Sequence, residues 1–256
     1  MQIQFGAELK GWRRKRGFSQ LRLGLEADVS ARHIAFLETG RSQPTRTMVI
    51  RLSEALEVPR RDRNRLLEAA GFAAAYGCRD MATAEMSSIR AAIDWTLERH
   101  EPYPGFALDR SWMIFAMNRP ARHLLSGIGL TVGSNLAEAF LANATLRSAV
   151  ENWAEVAQHL TVRMRTESRH LGGDPALDAA ASRLADEAGE IEHSRSLLPA
   201  VIPTRLRTPT GLLSFFSTIA QFGSAEDIAL ADLKIELLFP TDQITRSAMA
   251  ALADAS

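Results

Sequence analysis

The 256-residue sequence has little of what several classes of protein require. Its one cysteine, Cys78, excludes an internal disulfide and a cysteine-rich metal site, and it favours a reducing compartment. No run approaches the ~18 apolar residues that a membrane-spanning helix needs. Residues 1–5 lack the basic and apolar regions of a signal peptide. We therefore expect a cytoplasmic protein with no membrane partner.

Motifs that would place a catalytic centre or a cofactor are also missing. The sequence has no HExxH zinc motif, no GxSxG nucleophile motif and no Walker A loop. Glu190 and His193 form a single E-x-x-H pair, whereas a di-iron bundle uses two such pairs with further carboxylates. Gly127, Gly129 and Gly133 do not have the spacing of a dinucleotide-binding loop. These absences predict no enzyme, no cofactor and no metal site.

The formal net charge is zero, but the charge is unevenly distributed along the chain. Residues 1–78 carry 14 basic and 8 acidic side chains, and residues 79–256 carry 16 and 22. The first segment is therefore net positive by 6 and the second net negative by 6. A basic segment joined to an acidic one indicates that the first meets a polyanion, although chance clustering on solvated helix faces would look the same.

Short amphipathic segments with capping residues between them fill the first 71 residues. Their spacing predicts five helices, of which the first three cover about 5–16, 20–27 and 31–39 and the other two follow Pro44 and Pro59. In the second helix we expect Leu21 and Leu25 to face inward, and in the third Ile34 and Leu37.

A longer motif crosses the second and third of these helices. The string S-Q-x-x-L-x-x-x-A-x-V-S-x-x-x-I-x-x-L-E-x-G-R-x-x-P runs from Ser19 to Pro44. It resembles the helix-turn-helix of the lambda-repressor type, the XRE family. The sequence departs from that family in two places, with Gly24 where alanine is usual and Asp28 where glycine is usual.

The resemblance implies that the third helix enters the DNA major groove and that the second crosses the phosphate backbone. The residues it places towards base edges are Ser30, Ala31, Arg32, His33 and Phe36; Gln20 is placed at a phosphate, and Thr39, Arg41 and Arg46 beside the backbone. Three of the base-edge assignments have a plainer alternative: a solvated Arg32, an uninvolved His33, or a Phe36 packed on the second helix. The family also has an ion pair between the first and third helices, at positions that Arg13 and Glu38 match. We interpret this pair as part of the scaffold and not as a DNA contact.

Residues 73–80 form a stretch of mostly small residues, and after it the sequence predicts strands as well as helices. Residues 106–108 predict a strand, 109–111 a hairpin turn and 112–117 a second, buried strand. Asn118 is placed to cap the helix that follows. This order of strand, turn, strand, asparagine and helix resembles the start of a PAS domain. Further along, the sequence predicts helices at 145–170 and 176–195, strands at 204–208, 212–221 and 233–239, and a terminal helix capped near Asp242.

A second resemblance covers residues from about 103 to 215. The matching positions are Leu108-Asp109, Trp112, Met117-Asn118-Arg119, Ala121, Asn135-Leu136, Phe140-Leu141 and 153–157, which read W-A-E-V-A. Together with the helix-turn-helix they resemble the MmyB-like transcription regulators, from which the last 30 residues depart. The resemblance implies a PAS-like pocket able to hold a long acyl chain.

The large apolar residues of this segment are candidates for lining such a pocket. We select Phe106, Phe115, Met117, Trp153, Met164 and Phe215, with Arg205 as an anchor for a carboxylate and Arg163 and Arg207 as alternatives. Each apolar side chain could instead be ordinary core, and each arginine could simply be exposed.

Together these observations predict a fold that is mainly α with a small antiparallel sheet. The expected domains are a five-helix DNA-binding domain at 1–72, a linker at 73–80 and a PAS-like α+β domain at 81–256. We expect a homodimer on a palindromic double-stranded operator, because one such domain buries too little DNA surface for tight binding. The expected ligand is an apolar small molecule such as a fatty acid. The alternative is a second domain that only dimerises or binds a protein.

Overall fold

A computed structural model of the chain describes residues 2–79, 81, 83–188, 201–222 and 227–254. The chain divides into two compact units, the first formed mainly by residues up to Cys78 and the second by most of the remainder. The architecture is mainly α with a small antiparallel sheet, which confirms the predicted fold class.

The first unit contains five helices within its described residues. They are α1 (Gln2–Lys15), α2 (Gln20–Glu26), α3 (Ala31–Glu38), α4 (Arg46–Ala55) and α5 (Arg60–Ala69). Phe5, Leu9 and Trp12 form the buried face of α1, as their spacing predicts, and Ile34 and Leu37 that of α3. All five side chains belong to one hydrophobic core.

The predicted inward face of α2 is wrong. Leu21 and Leu25 are 63% and 76% exposed, whereas Leu23 is 0% exposed. Leu23 and Ala27 are four residues apart, so they share one face of the helix turn, and both lie in the core. Helical spacing alone allows either pair to face inward; the packing of α2 on α3 selects Leu23 and Ala27.

The second unit has helices on both faces of its sheet. Its helices are α6 (Ser87–Arg99), α7 (Arg119–Ser126), α8 (Leu136–Ala142), α9 (Ala144–Ala149), α10 (Trp153–His170), α11 (Pro175–Ala188), α12 (Ile228–Ala231) and α13 (Gln243–Asp254). Its strands are β1 (Gly105–Leu108), β2 (Ile114–Met117), β3 (Thr204–Thr208), β4 (Gly211–Ala220) and β5 (Lys234–Pro240). In the described part of the chain these form a five-stranded antiparallel sheet in the order β2-β1-β5-β4-β3.

The second predicted strand begins two residues later than expected. Trp112 has a φ of 63°, in the left-handed region, and cannot continue an extended strand. The Asp109 carboxylate holds this turn by accepting hydrogen bonds from the backbone N–H groups of Ser111 and Met113, at 2.8 and 2.9 Å. The regular strand therefore starts only at Ile114.

The long helix predicted at 145–170 is wrong, because the chain breaks it at residues 150–152. Val150 forms an isolated bridge with Leu206, and the Glu151 N–H donates to the Arg205 carbonyl at 2.8 Å. The Asn152 side chain accepts from the Arg205 N–H at 3.0 Å. Residues 150–152 thus pair with the start of β3, and these long-range bonds replace the helical ones.

Other predicted elements are confirmed. The side-chain Oδ1 of Asn118 accepts from the Ala121 N–H at 3.0 Å and caps α7, and the Asp242 carboxylate accepts from the Thr245 N–H at 2.7 Å at the start of α13. The three late strands lie where expected, within a residue or two. The helix predicted at 176–195 is present as α11, and its last seven residues lie outside the described ranges. Among the helices that the structure describes, none is both long enough and apolar enough to span a bilayer.

Candidate functional site

The turn between α2 and α3 is built from local hydrogen bonds. Ser19 and Ser30 cap the two helices, accepting from the N–H groups of Arg22 at 3.0 Å and His33 at 3.2 Å. Asp28 takes the left-handed conformation with φ 50°, which aspartate tolerates better than most residues. The turn that the motif predicts is therefore formed with aspartate in place of glycine at position 28.

Gly24 has a structural reason for departing from the family pattern. A Cβ built on Gly24 would lie 2.4 Å from the Val29 carbonyl oxygen, a backbone atom. The Val29 N–H donates to the Gly24 carbonyl at 2.7 Å. Glycine therefore permits a close approach between α2 and the turn, which compensates for its poor helix propensity.

A buried ion pair fixes α3 against α1. The Arg13 guanidinium donates twice to the Glu38 carboxylate, at 2.6 and 3.0 Å, and once to the Phe18 carbonyl at 2.7 Å. The predicted pair is therefore confirmed. Burial alone would raise the pKa of Glu38, but hydrogen bonds from Arg13 and Gln20 and the nearby positive charges outweigh it and hold this pKa below its usual value of 4.5. Glu38 is ionised at neutral pH.

The predicted DNA-contacting residues lie on α2, on α3 and in the segment that follows. Five of them are exposed, namely Ser30, Arg32, Thr39, Arg41 and Arg46, and four are half-buried, namely Gln20, Ala31, His33 and Phe36. The Arg32 guanidinium lies over the Phe36 ring, 5.3 Å from its centroid, one helical turn away. Arg32 and Phe36 thus form one continuous surface on α3.

The side chains of Gln20 and Thr39 also donate hydrogen bonds within the protein. The Gln20 amide donates to Glu38 at 2.9 Å, and the Thr39 hydroxyl donates to the Ala35 carbonyl at 2.8 Å. An amide carries two N–H bonds, so the second of Gln20 can still reach a phosphate. The DNA roles of all nine residues stay predictions.

In the second unit, a cavity lies between one face of the sheet and helices α7–α10. Its volume is about 110 Å³. The wall is mostly apolar, and includes Phe106, Leu136, Val156, Leu160, Leu206 and Phe215. The structure therefore brings together two of the predicted ligand-contacting residues, Phe106 and Phe215.

The other predicted ligand residues lie elsewhere in this unit. Phe115 packs with the cluster around Ile93 and Leu97 on the α6 side of the sheet. Met117 and Met164 are buried, at 2% and 0% exposure, outside the cavity wall. Their contact with a ligand stays a prediction.

Trp153 and Arg205 are also held outside the cavity wall. Trp153 is half-buried beside Phe140, with 6.0 Å between ring centroids. Arg205 is paired with Glu151 at 2.5 Å. This arginine therefore already has a carboxylate partner within the chain.

One part of the cavity wall is charged, and Arg163 is central to it. Its guanidinium donates to Glu167 at 3.0 Å and to Glu236 at 2.5 Å, and both Arg163 and Glu236 line the cavity. His159 also lines it; partial burial, and next the charge of Arg163, hold the pKa of His159 below its usual value, against the opposing effect of Glu236. At neutral pH the imidazole is uncharged. Sequence reasoning missed Glu236, which looks like any residue of an alternating strand.

A larger groove of about 760 Å³ lies beside the cavity, between α7, the β3–β4 hairpin and α13. Ile128 and Leu206 line both spaces. The groove has an apolar wall that includes Leu124, Leu213 and Met249. Its far side is formed by α13, which contributes Ala248, Met249, Ala251 and Leu252 to the lining.

Neither unit offers a metal site in the described residues. No group of three or more His, Cys, Asp or Glu side chains there is arranged to hold an ion. The Glu190 and His193 pair lies outside those residues.

These observations define a class of protein: a DNA-binding transcription regulator with a separate ligand-binding domain. Comparison with known families agrees, because a helix-turn-helix domain matches residues 4–66. The MmyB-like transcription regulator ligand binding domain matches residues 89–252, and the chain belongs to this family. The expectation that the last 30 residues depart from the family is therefore wrong, because the match continues through residue 252. No curated protein matches the sequence.

Proposed function

We propose that this regulator senses a fatty acid or another acyl derivative and acts as a homodimer on a palindromic operator in the cytoplasm. The observation that carries the proposal is the cavity between the sheet and α7–α10, which is mostly apolar and has one charged wall. Small-molecule sites commonly combine an apolar lining with a few placed polar groups. The strand order β2-β1-β5-β4-β3 supports a PAS-like arrangement of sheet and helices around this space.

The volumes suggest how an acyl compound would be divided between the two spaces. An engineered cavity of about 150 Å³ holds one benzene molecule. The inner cavity, at about 110 Å³, therefore suits a head group and a few carbons. The outer groove, at about 760 Å³, is within the usual range for ligand sites and suits the rest of the tail. In this proposal the acyl tail runs from the cavity into the groove between Ile128 and Leu206, and these two side chains change rotamer to let it pass.

The proposed DNA-bound dimer follows from the size of one helix-turn-helix domain. Two copies related by a two-fold axis would place their α3 helices in successive major grooves, about 34–36 Å apart. The exposed arginines of α3 and the following segment supply the positive charge that phosphates attract.

Thermal unfolding of the full chain against saturated acyl compounds of increasing length, added as free acids and as primary amides, tests the ligand proposal. Occupancy at 100 times the dissociation constant adds about 2.7 kcal/mol of stability. We expect the unfolding midpoint to rise with chain length and to level off once the groove is full. Extraction of the purified protein beforehand shows whether a compound already occupies the site.

A matched pair of variants locates the tail. Ala251 lines the groove and is exposed, so Ala251→Trp should fill the groove at little cost to stability. Ala250 is exposed on the same helix outside the groove wall, and Ala250→Trp is the control. We expect Ala251→Trp to abolish the response to long chains and Ala250→Trp to keep it. If no chain length shifts the wild-type midpoint and no compound co-purifies, the second domain dimerises or binds a protein instead.

A further inference from the structure

The charged wall of the cavity belongs to a larger buried network. Glu167 accepts hydrogen bonds from the Lys234 ammonium at 2.5 Å and from the Trp112 indole N–H at 2.8 Å, besides its pair with Arg163. The cations of Arg163 and Lys234 lie 4.6 and 5.3 Å from the Trp112 ring centroid. The network joins α10 to β5 across the interior of the unit.

The network is electrically balanced. It holds two cations, Arg163 and Lys234, and two carboxylates, Glu167 and Glu236. The exposed fractions of these side chains are 12%, 8%, 19% and 6% in that order. Burial alone would raise the pKa of Glu167, but the charges and hydrogen bonds of Lys234 and Arg163 outweigh this and keep it ionised. Arg163 therefore has no uncompensated charge to offer a ligand.

A ligand carboxylate at this wall would be an additional buried anion. Its position beside Arg163 would also place it beside Glu236, since both side chains line the cavity and contact each other. His159 is neutral and adds no positive charge. Burying an anion without a matching cation is strongly unfavourable, so a free fatty acid is poorly matched to this wall.

An uncharged head group with both a donor and an acceptor is better matched. A carboxamide N–H can donate to the Glu236 carboxylate, a charge-assisted hydrogen bond. Its carbonyl oxygen can accept from the Thr204 hydroxyl, which lines the cavity, or from Arg163, which has five N–H bonds and uses two in the contacts above.

We propose that the head-group site at Arg163 and Glu236 selects a neutral acyl amide and rejects the free carboxylate of the same chain. This inference rests on the proposed acyl-sensing function and narrows its ligand class. Glu236 is then the residue that determines specificity, because it provides both the acceptor for the amide and the repulsion of the acid.

Binding of decanamide and decanoate to the full chain, measured by calorimetry at pH 7.5, tests this directly. We expect decanamide to bind about tenfold or more tightly, because like charges brought together in an interface are strongly disfavoured. N,N-dimethyldecanamide, which has lost both N–H donors, should bind more weakly than decanamide. Equal or tighter binding of decanoate would overturn the inference, and so would equal binding of the two amides.

Glu236→Gln should change the preference. This variant removes the repelling carboxylate and leaves the network with one uncompensated positive charge, so the ratio of amide to acid affinity should fall about tenfold or more. Glu151→Gln makes the same chemical change in the ion pair with Arg205, outside the cavity wall, and should leave the ratio unchanged. A ratio unaffected by Glu236→Gln would place the head group elsewhere.

The outcomes separate this inference from the proposed function. Tight binding of decanoate overturns the head-group assignment and leaves acyl sensing intact. Failure of every acyl compound to bind overturns both. If Glu236→Gln does not fold, the three ligands compared on the wild-type chain still decide the inference.

Discussion

Replacing Arg13 with leucine should destabilise the helix-turn-helix unit by about 3–5 kcal/mol at neutral pH. The Glu38 side chain is 2% exposed, and the variant leaves its carboxylate buried without its main cationic partner. Hydrogen exchange of the buried amides of α1 and α3 in the full chain measures this loss locally. The double variant Arg13→Leu with Glu38→Leu removes both charges and should recover most of the stability.

The dependence of folding stability on pH in the acid range should differ between the wild type and Arg13→Leu. In the wild type the pKa of Glu38 is lowered, so its stabilising effect is present above pH 4.5 and is lost as pH falls through the lowered pKa. In Arg13→Leu burial should raise this pKa, so protonation of Glu38 relieves part of the destabilisation as pH falls. A double variant no more stable than Arg13→Leu would contradict this account and assign the cost to lost packing.

Arg32→Ala should cost about 1–3 kcal/mol of operator affinity and relax the preference at one base pair. Arg32 is exposed on α3, and a guanidinium there can donate two hydrogen bonds to one guanine. Competition binding against a randomised operator library measures the preference at every position. An unchanged preference profile would contradict the assignment of α3 as the recognition helix.

Arg41→Ala should behave differently, because Arg41 is expected to contact a phosphate. Affinity should fall alike for all sequences, and the dependence of log affinity on log salt should flatten by about one unit. Arg65→Ala is a control for loss of charge alone, since this α5 side chain is 69% exposed and outside the predicted DNA surface. It should change neither the preference nor the affinity appreciably.

The helix-turn-helix could be predicted largely from sequence because its signals are local. Ser19 and Ser30 cap helices within three residues, and Asp28 turns the chain by its own conformational preference. The inward face of α2 could not be predicted in the same way. Leu21 with Leu25 and Leu23 with Ala27 are both spaced as helical neighbours, and only contact with α3 distinguishes them.

The second unit depends more on contacts between distant residues, so its sequence predicts less of its structure. The break between α9 and α10 exists because residues 150–152 bond to β3, more than 50 positions later. Arg163 and Glu236 are 73 residues apart, so no sequence pattern links them. Aromatic content identified Phe106 and Phe215 in the cavity wall, but it could not separate them from Phe115, which packs on the opposite face of the sheet.

The central claim is that occupancy of the cavity changes DNA binding. Its most direct test is the affinity of the full chain for a selected operator, measured with and without the acyl compound that raises the unfolding midpoint most. A coupling of about 1–3 kcal/mol predicts a change of about 5–150-fold, which Ala251→Trp should abolish and Ala250→Trp should retain. An operator affinity that is the same with the site empty and saturated would contradict ligand sensing.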